Sequence, residues 1–300
     1  MARVSNPWES GHEFFSRQPA HGLKSRATHS RIEYSNLVTP HSWLYFYPVT
    51  QKTPLVSAIV LNYRSPRDCH TCVQALLEQT IGDRLEVLLV DNHSYDESIG
   101  WLRARWNGHD RVRIIENAEN IGYGCGNNGA ARTARGEYIL VINPDNTLPK
   151  DAIERMIEVF AREPDAGIVG PALVYADGSW RPSARPFPTI RDLFHKRLFP
   201  EQWQKQYDVE SRRLHSPGVH EVDWLVGACL LLRRSFFEEL QGFDPRFLLF
   251  FEDIDLCRRS WQAGKRVLYA ADIRVLDRRQ RLSGNSMLSL FTRKTTRIHD

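Results

Sequence analysis

The stretch "EYILVINPDN", residues 137–146, decides how the chain is read. Its first half is an unbroken apolar run, the pattern of a strand buried on both faces. Its second half turns polar at once and carries Asn143, Asp145 and Asn146. Two earlier segments behave the same way: "LVSAIVLNY" (55–63) and "LEVLLVDN" (85–92), with "RVRIIE" (111–116) as a shorter version. Helical spacing fills the gaps at 68–80, 96–106 and 127–135, and a helix at 149–164 opens with a Pro and an Asp. Strand and helix therefore alternate. That rhythm predicts an α/β fold, a mostly parallel central sheet with helices on both faces. Ligands bind such sheets beyond the carboxyl ends of the strands. The tips "NYR", "DNHS" and "NPDN" all fall there and predict one shared site.

Working outward, the 300 residues suit one large domain or two small ones. The formal charge of +4 permits an anionic substrate or membrane surface without requiring either. No run of 18 uncharged apolar residues is present, and the amino terminus lacks the apolar core of a signal peptide. The expected place is the cytoplasm, with the inner face of the plasma membrane as the alternative. Five cysteines argue against a disulfide framework. Cys69 and Cys72, in "CHTC", lack a second ligand pair for zinc and read as two small residues on one helix.

Residues 1–53 are read as an amino-terminal extension, with the aromatic segment "HSWLYFYPV" (41–49) packing on the domain or touching a membrane. Residues 54–165 and 166–277 are two halves of one domain, and 278–300 a tail. In the second half, 167–180 reads as a strand and hairpin, 222–240 as strand then helix, and 265–270 as a last strand. "TIRDLFHKRLF" (189–199) is a basic amphipathic helix, either packed on the core or laid on an anionic membrane.

Two motifs carry candidate chemistry. "GYGCGNNGA" (122–130) has the glycine spacing of a dinucleotide fingerprint, but "NAENIGY" separates it from the preceding strand, so its glycines more naturally allow close backbone approach. "FLLFFEDIDLCRR" (247–259) drives an apolar run into Glu252, Asp253 and Asp255. Acids at a helix start complement its dipole. A carboxylate on the floor of a partly dry pocket can also be a general base, its pKa raised by burial.

Taken in order, "VSAIVLNYRS", "LEVLLVDNHSYDES", "NIGYGCGNNGAARTARGEYILVINPDN", "WLVGACLLLRRSFF" and "GFDPRFLLFFEDIDLCRRSWQAGKRV" resemble the motifs of family 2 glycosyltransferases of the GT-A fold, in the rhamnosyltransferase-like branch. The resemblance implies inverting transfer from a nucleotide-diphosphate sugar, dTDP- or UDP-linked, to a saccharide or polyprenyl-linked acceptor. It implies a divalent cation, Mg²⁺ or Mn²⁺, and no nucleic acid partner. Asn62, Tyr63, Arg64 and Asp91 would line the nucleotide pocket, with Asn120, Gly122 and Asn128 opposite. Asn143 and Asp145 match the family's metal-binding Asp-X-Asp. Asp253 matches the general base, with Glu252 beside it, Arg259 facing the diphosphate or Asp253, and the apolar run 247–251 as the pocket wall. Trp224 and Gly227 would line the acceptor side. Where the family often places a metal-completing His, this chain has Asp277, a substitute ligand by chemistry. A sugar nucleotidyltransferase is disfavoured, since "NYRSPRD" lacks the glycines of that family's first loop. A catalytically silent relative serving as a binding or scaffold subunit stays open.

Overall fold

The computed structural model describes residues 53–189, 197–198 and 214–278. The aromatic segment at 41–49 and nearly all of the basic helix expected at 189–199 lie outside the described residues.

The expected rhythm is present. In chain order the elements of the first half are β1 (Val56–Asn62), α1 (Pro66–Leu77), β2 (Leu85–Asp91), α2 (Ser98–Trp106), β3 (Val112–Glu116), α3 (Tyr123–Ala131), β4 (Tyr138–Ile142), β5 (Asn146–Thr147) and α4 (Ala152–Arg162). The second half gives β6 (Ala166–Val174), β7 (Trp180–Arg181), β8 (Ala184–Arg185), β9 (Val219–Glu221), β10 (Trp224–Leu225), β11 (Cys229–Arg233), α5 (Arg234–Glu239), α6 (Glu252–Gln262) and β12 (Arg266–Asp277). The main sheet runs β3-β2-β1-β4-β11-β6-β12-β5. Strands β1 to β4 are mutually parallel, and β11 enters antiparallel between β4 and β6. A separate ribbon pairs β8 with β10. The chain has the GT-A fold, an α/β architecture.

The run Val56–Asn62 is buried throughout because both faces of β1 are covered. Val56, Ala58 and Val60 join one apolar layer with α1 and α4, while Ile59 and Leu61 join the other. Helix α4 shows the matching period, burying Ile153, Met156, Val159 and Phe160 along one stripe. Burying a side chain such as Phe160 contributes about 1.5–3 kcal/mol, so Phe160→Asp would cost more than any surface change on that helix. Cys69 and Cys72 lie on the buried stripe of α1 with Val73 and Leu76, as two small core residues.

Two elements differ from expectation. Helix α3 starts at Tyr123 rather than 127, so Gly124, Gly126 and Gly129 lie inside it. The turn that feeds it comes at Gly122, with φ of +84°. There an added Cβ would meet the Leu248 carbonyl oxygen at 2.5 Å. The last strand runs on to Asp277 because a register shift between Ala270 and Arg274 lets it keep pairing with β6.

At the amino ends of β1 and β2 a polar cluster closes the sheet. Ser57 donates to Glu86 at 2.6 Å, and Arg135 reaches the same carboxylate through its backbone N–H (2.8 Å) and Nε (2.9 Å). Glu86 is 2% exposed, yet its pKa stays below the usual value. Burial pushes it up, but the hydrogen bonds from Ser57 and Arg135 and the nearby Arg113 charge outweigh that.

Candidate active site

The carboxyl ends of the same two strands carry a different pair. Asn62 and Asp91 are register partners, and Asn62 Nδ2 donates to Asp91 Oδ1 at 2.6 Å. Ser94 Oγ donates to that same oxygen at 2.6 Å, and Asn62 Oδ1 accepts the Ser65 N–H at 3.1 Å. Asn62 is wholly buried, so its side chain orients Asp91 rather than facing a ligand. The loops after β1 and β2 are joined at Ser94, which takes the Arg64 N–H on its hydroxyl and Arg64 Nε on its carbonyl. Arg64, His93 and Tyr95 all have φ above +50°, an unusual conformation for non-glycine residues. The strained loops leave Tyr63 43% and Tyr95 74% exposed at the rim.

Beside them Asn92 ties the third wall. It donates to Asn120 Oδ1 (2.8 Å) and the Gly122 carbonyl (3.2 Å), and accepts from Asn117 Nδ2 (2.9 Å). Asn120 and Gly122 are thus tied through Asn92 to the carboxyl end of β2. Asn128 faces elsewhere: its amide clamps the backbone of Phe243, donating to the carbonyl (2.7 Å) and accepting the N–H (2.9 Å).

The fourth strand ends in the turn Asn143–Pro144–Asp145, which meets the β10–β11 connection. Ala228's carbonyl accepts both the Asn143 N–H and Asn146 Nδ2 at 2.8 Å. One residue earlier, the Gly227 N–H donates to Asp253 Oδ2 at 2.9 Å, and the Gly227 carbonyl accepts the Tyr123 hydroxyl at 2.6 Å. Residues 227 and 228 therefore bridge Asp253 to the Asn143–Asp145 turn. A Cβ on Gly227 would lie 3.2 Å from that of Asp253, so a side chain there would crowd the carboxylate. The Tyr123 hydroxyl gathers the acids electrostatically. Burial raises its pKa well above the usual value, and Glu252, Asp253 and Asp145 add to the rise.

Glu252 and Asp253, the first two residues of α6, are both hard to ionise. Burial raises the pKa of Asp253, against the opposing hydrogen bonds of the Gly227 and Ile254 N–H groups. Glu252 is 6% exposed, and its Oε2 has no hydrogen-bond partner among the described residues. Burial and then the neighbouring Asp253 charge push its pKa up to about 7. A glutamate near 7 is half-protonated at neutral pH. The basic charge acting on Asp253 comes from Arg185 of β8. Arg259 lies differently from expectation: Asp255, one helical turn away, holds it at 2.7 Å, and it donates to the Leu240 carbonyl, pinning α6 to the end of α5. Trp224 is 8% exposed and donates to the Pro186 carbonyl at 2.8 Å, so it is packed against the segment after β8.

The apolar run is not packed into the core: Leu248, Leu249, Phe250 and Phe251 are 61, 42, 47 and 48% exposed, and Leu248 lies against Gly122.

For a divalent cation the donor set is lean. Among the described residues no three of His, Cys, Asp and Glu gather as a metal cage. A single carboxylate completed by diphosphate oxygens is nevertheless a common set for Mg²⁺. Asp145 and the neighbouring Asn143 fit it, on a turn braced by Arg278, whose Nη2 donates to the Pro144 carbonyl at 3.2 Å. Asp277 does not fit, because it is 1% exposed and ion-paired with Arg181. Sequence reasoning missed Asn92, Ser94, Tyr123, Arg185 and Arg278. For the first two the polar tip "DNHS" was a signal.

The family model for glycosyl transferase family 2 matches residues 57–241, ending before α6. An N-acetylglucosaminyl-diphospho-decaprenol L-rhamnosyltransferase of Mycobacterium tuberculosis is 34% identical over 221 residues, 68% of this chain and 70% of that one. An O-antigen biosynthesis protein of Myxococcus xanthus is 30% identical over 230 residues, 77% of this chain but 18% of its own. Among solved structures, a mannosyltransferase of Pyrobaculum calidifontis in complex with GDP-Man and Mn²⁺ aligns with a TM-score of 0.56 and 19% identity, over 82% of this chain and 65% of that one. GalNAc-T7 with UDP, GalNAc and Mn²⁺ aligns at 0.55 and 16%, over 77% and 44%. The chain thus spans less than two thirds of either solved neighbour. At these identities the structures speak for the fold.

Proposed function

The chain belongs to glycosyl transferase family 2 and is a glycosyltransferase, and we propose that it transfers a sugar, rhamnose in the favoured reading, from a nucleotide-diphosphate donor to a hydroxyl of a lipid-linked saccharide, with inversion. The observation that carries this is the bridge at Gly227–Ala228, which sets Asp253 beside the Asn143–Asp145 turn. In this reading Asp253 is the base and the Asn143–Asp145 turn lies on the diphosphate side, and the bridge supports their acting on one reacting centre. The rhamnosyl donor and lipid-linked acceptor are taken from the name of the Mycobacterium tuberculosis relative. In this reading residues 54–165 hold the donor and 166–277 the acceptor.

The chemistry runs through Asp253. Its carboxylate takes the proton of the acceptor hydroxyl while that oxygen attacks the anomeric carbon. The bond from that carbon to the diphosphate oxygen breaks, and the nucleoside diphosphate leaves with the electron pair. A raised pKa makes Asp253 a better proton acceptor than an exposed carboxylate. The Gly227 N–H keeps it aimed. Asp91, fixed by Asn62 and Ser94, faces the nucleoside, and Asn120 and Gly122 form the opposite wall. Asp145 with Asn143 would hold a divalent cation, Mn²⁺ or Mg²⁺, which neutralises charge on the leaving diphosphate. Among the described residues no helix is long and apolar enough to cross a membrane.

The test is a thermal-shift panel with UDP, dTDP and GDP, each with and without Mn²⁺, followed by transfer assays with sugars of whichever nucleotide binds. A ligand that binds only the folded state raises the Tm. A metal-dependent shift with dTDP or UDP followed by transfer supports the reading. A shift without transfer or donor hydrolysis replaces it with a silent, nucleotide-binding relative.

A further inference from the structure

Arg278, the last described residue, lies where three segments meet. The turn after β4 is closed by the Asn146 N–H on the Asn143 carbonyl at 3.1 Å. Its two central residues are Pro144, which has no N–H, and Asp145. Both of their carbonyls go to Arg278: that of Asp145 accepts its backbone N–H at 3.0 Å, and that of Pro144 accepts its Nη2 at 3.2 Å. The same Nη2 donates to the Asp68 carbonyl at 3.1 Å, and Nη1 lies 3.8 Å from the Asp68 carboxylate. Asp68 belongs to the first turn of α1. The entry to that helix fixes the other side of the site, since the Ser65 N–H holds Asn62 and Asn62 holds Asp91. Arg278 reaches from a fixed backbone: Asp277, beside it, pairs in register with Asn146 and is ion-paired with Arg181.

The plain alternative is a surface clasp, and an exposed ion pair of that kind is worth little. Two observations count against it. The Arg278 side chain is only 26% exposed, and its shortest contacts are the two carbonyls rather than the carboxylate. The demand at the turn is also specific. A cation bound through one protein carboxylate has no second one to hold its geometry, so the backbone that carries that carboxylate must be held instead. A planar guanidinium set against carbonyls of two segments does this, where a flexible ammonium would not. We propose that Arg278 is a positioning residue of the donor site: it holds Asp145 where a divalent cation can use it and ties that turn to the loops that face the nucleoside. This rests on the reading of Asp145 as the cation side of a nucleotide-diphosphate site.

The experiment is titration calorimetry of the full chain with UDP and dTDP, each with and without Mn²⁺, for wild type, Arg278→Ala and Arg278→Lys. The expected result is that Mn²⁺ tightens nucleotide binding by wild type, and that Arg278→Ala loses roughly 10–100-fold of Mn²⁺ affinity while its metal-free nucleotide affinity stays unchanged. Arg278→Lys keeps the charge but not the planar fork, and should fall between the two. Equal Mn²⁺ tightening in Arg278→Ala overturns the proposal. So does a loss of metal-free nucleotide affinity in the same proportion, which would make Arg278 a general brace of the fold. Should Arg278→Ala fail to fold, Arg278→Lys decides, and tightening equal to wild type overturns the proposal there. Nucleotide binding by wild type that Mn²⁺ does not tighten takes the cation from Asp145 and this proposal with it, while the transferase reading stands. No nucleotide binding by wild type in either condition removes the transferase reading itself.

Discussion

Glu86 and Glu252 are both buried, at 2 and 6% exposure, and they are treated in opposite ways. Glu86 accepts hydrogen bonds from Ser57 and Arg135 and keeps a lowered pKa. Glu252 keeps an oxygen without a partner beside a second acid, and its pKa rises to about 7. One fold thus shows what it does with a carboxylate that only has to hold strands together, and what it does with one at a site. A satisfied buried charge is architecture. An unsatisfied one stores a tendency to take up a proton, which is useful only where protons move.

The comparison breaks most sharply at Asp253. Asp253→Asn removes the base and should lower transfer by about 10²–10⁴-fold while the nucleotide-induced rise in Tm persists. Activity near wild type in a folded variant would move the base elsewhere. On the architectural side, Glu86→Ala strands the buried Ser57 hydroxyl and releases the half-exposed Arg135, and should cost about 1–3 kcal/mol in denaturant unfolding. Transfer by the folded fraction should change little, since the cluster lies at the far end of the strands.

Glu252→Gln sharpens the contrast through pH. In the unfolded chain Glu252 titrates near 4.5 and in the folded chain near 7. Between those values the folded state holds the extra proton, so stability falls as pH rises through that window and stays lower above it. The variant should lose this slope and gain on the order of 2–3 kcal/mol relative to wild type at pH 8. The Glu86 contribution has the opposite sign: it is present above pH 4.5 and lost as pH falls through its lower folded pKa. The smallest effect is expected at Gly227→Ala, where a methyl group 3.2 Å from the Asp253 Cβ pushes the carboxylate by a few tenths of an ångström. Since about 1 Å of misplacement can cost 10²-fold, transfer should fall roughly tenfold with Tm nearly unchanged.

The architectural half was largely legible. Strands such as Val56–Asn62 and Leu85–Asp91 announce themselves because both faces are buried and the apolar run is continuous. Asp91, Asp145 and Asp253 lie where the sequence puts them, at the end of β2, just past β4 and at the start of α6, because an element's end is itself a sequence feature. The rest depended on partners distant in sequence. Asn128 looks available until Phe243, 115 residues on, is seen in its amide. Arg259 lies in the right motif, but Asp255 and the Leu240 carbonyl take its guanidinium. Tyr123 gives no sign in the sequence that its hydroxyl will meet Gly227, 104 residues away.

The bond from the Tyr123 N–H to the Leu248 carbonyl joins the turn at Gly122 to the segment that leads into α6. Two ligands that both bore on this bond would be thermodynamically linked, and the linkage is reciprocal: each would be held tighter by the same factor once the other was present. An ordinary backbone hydrogen bond is worth about 1 kcal/mol net, which would cap that factor at about fivefold. Cooperation of that size would bias the order in which two ligands arrive without locking either one in.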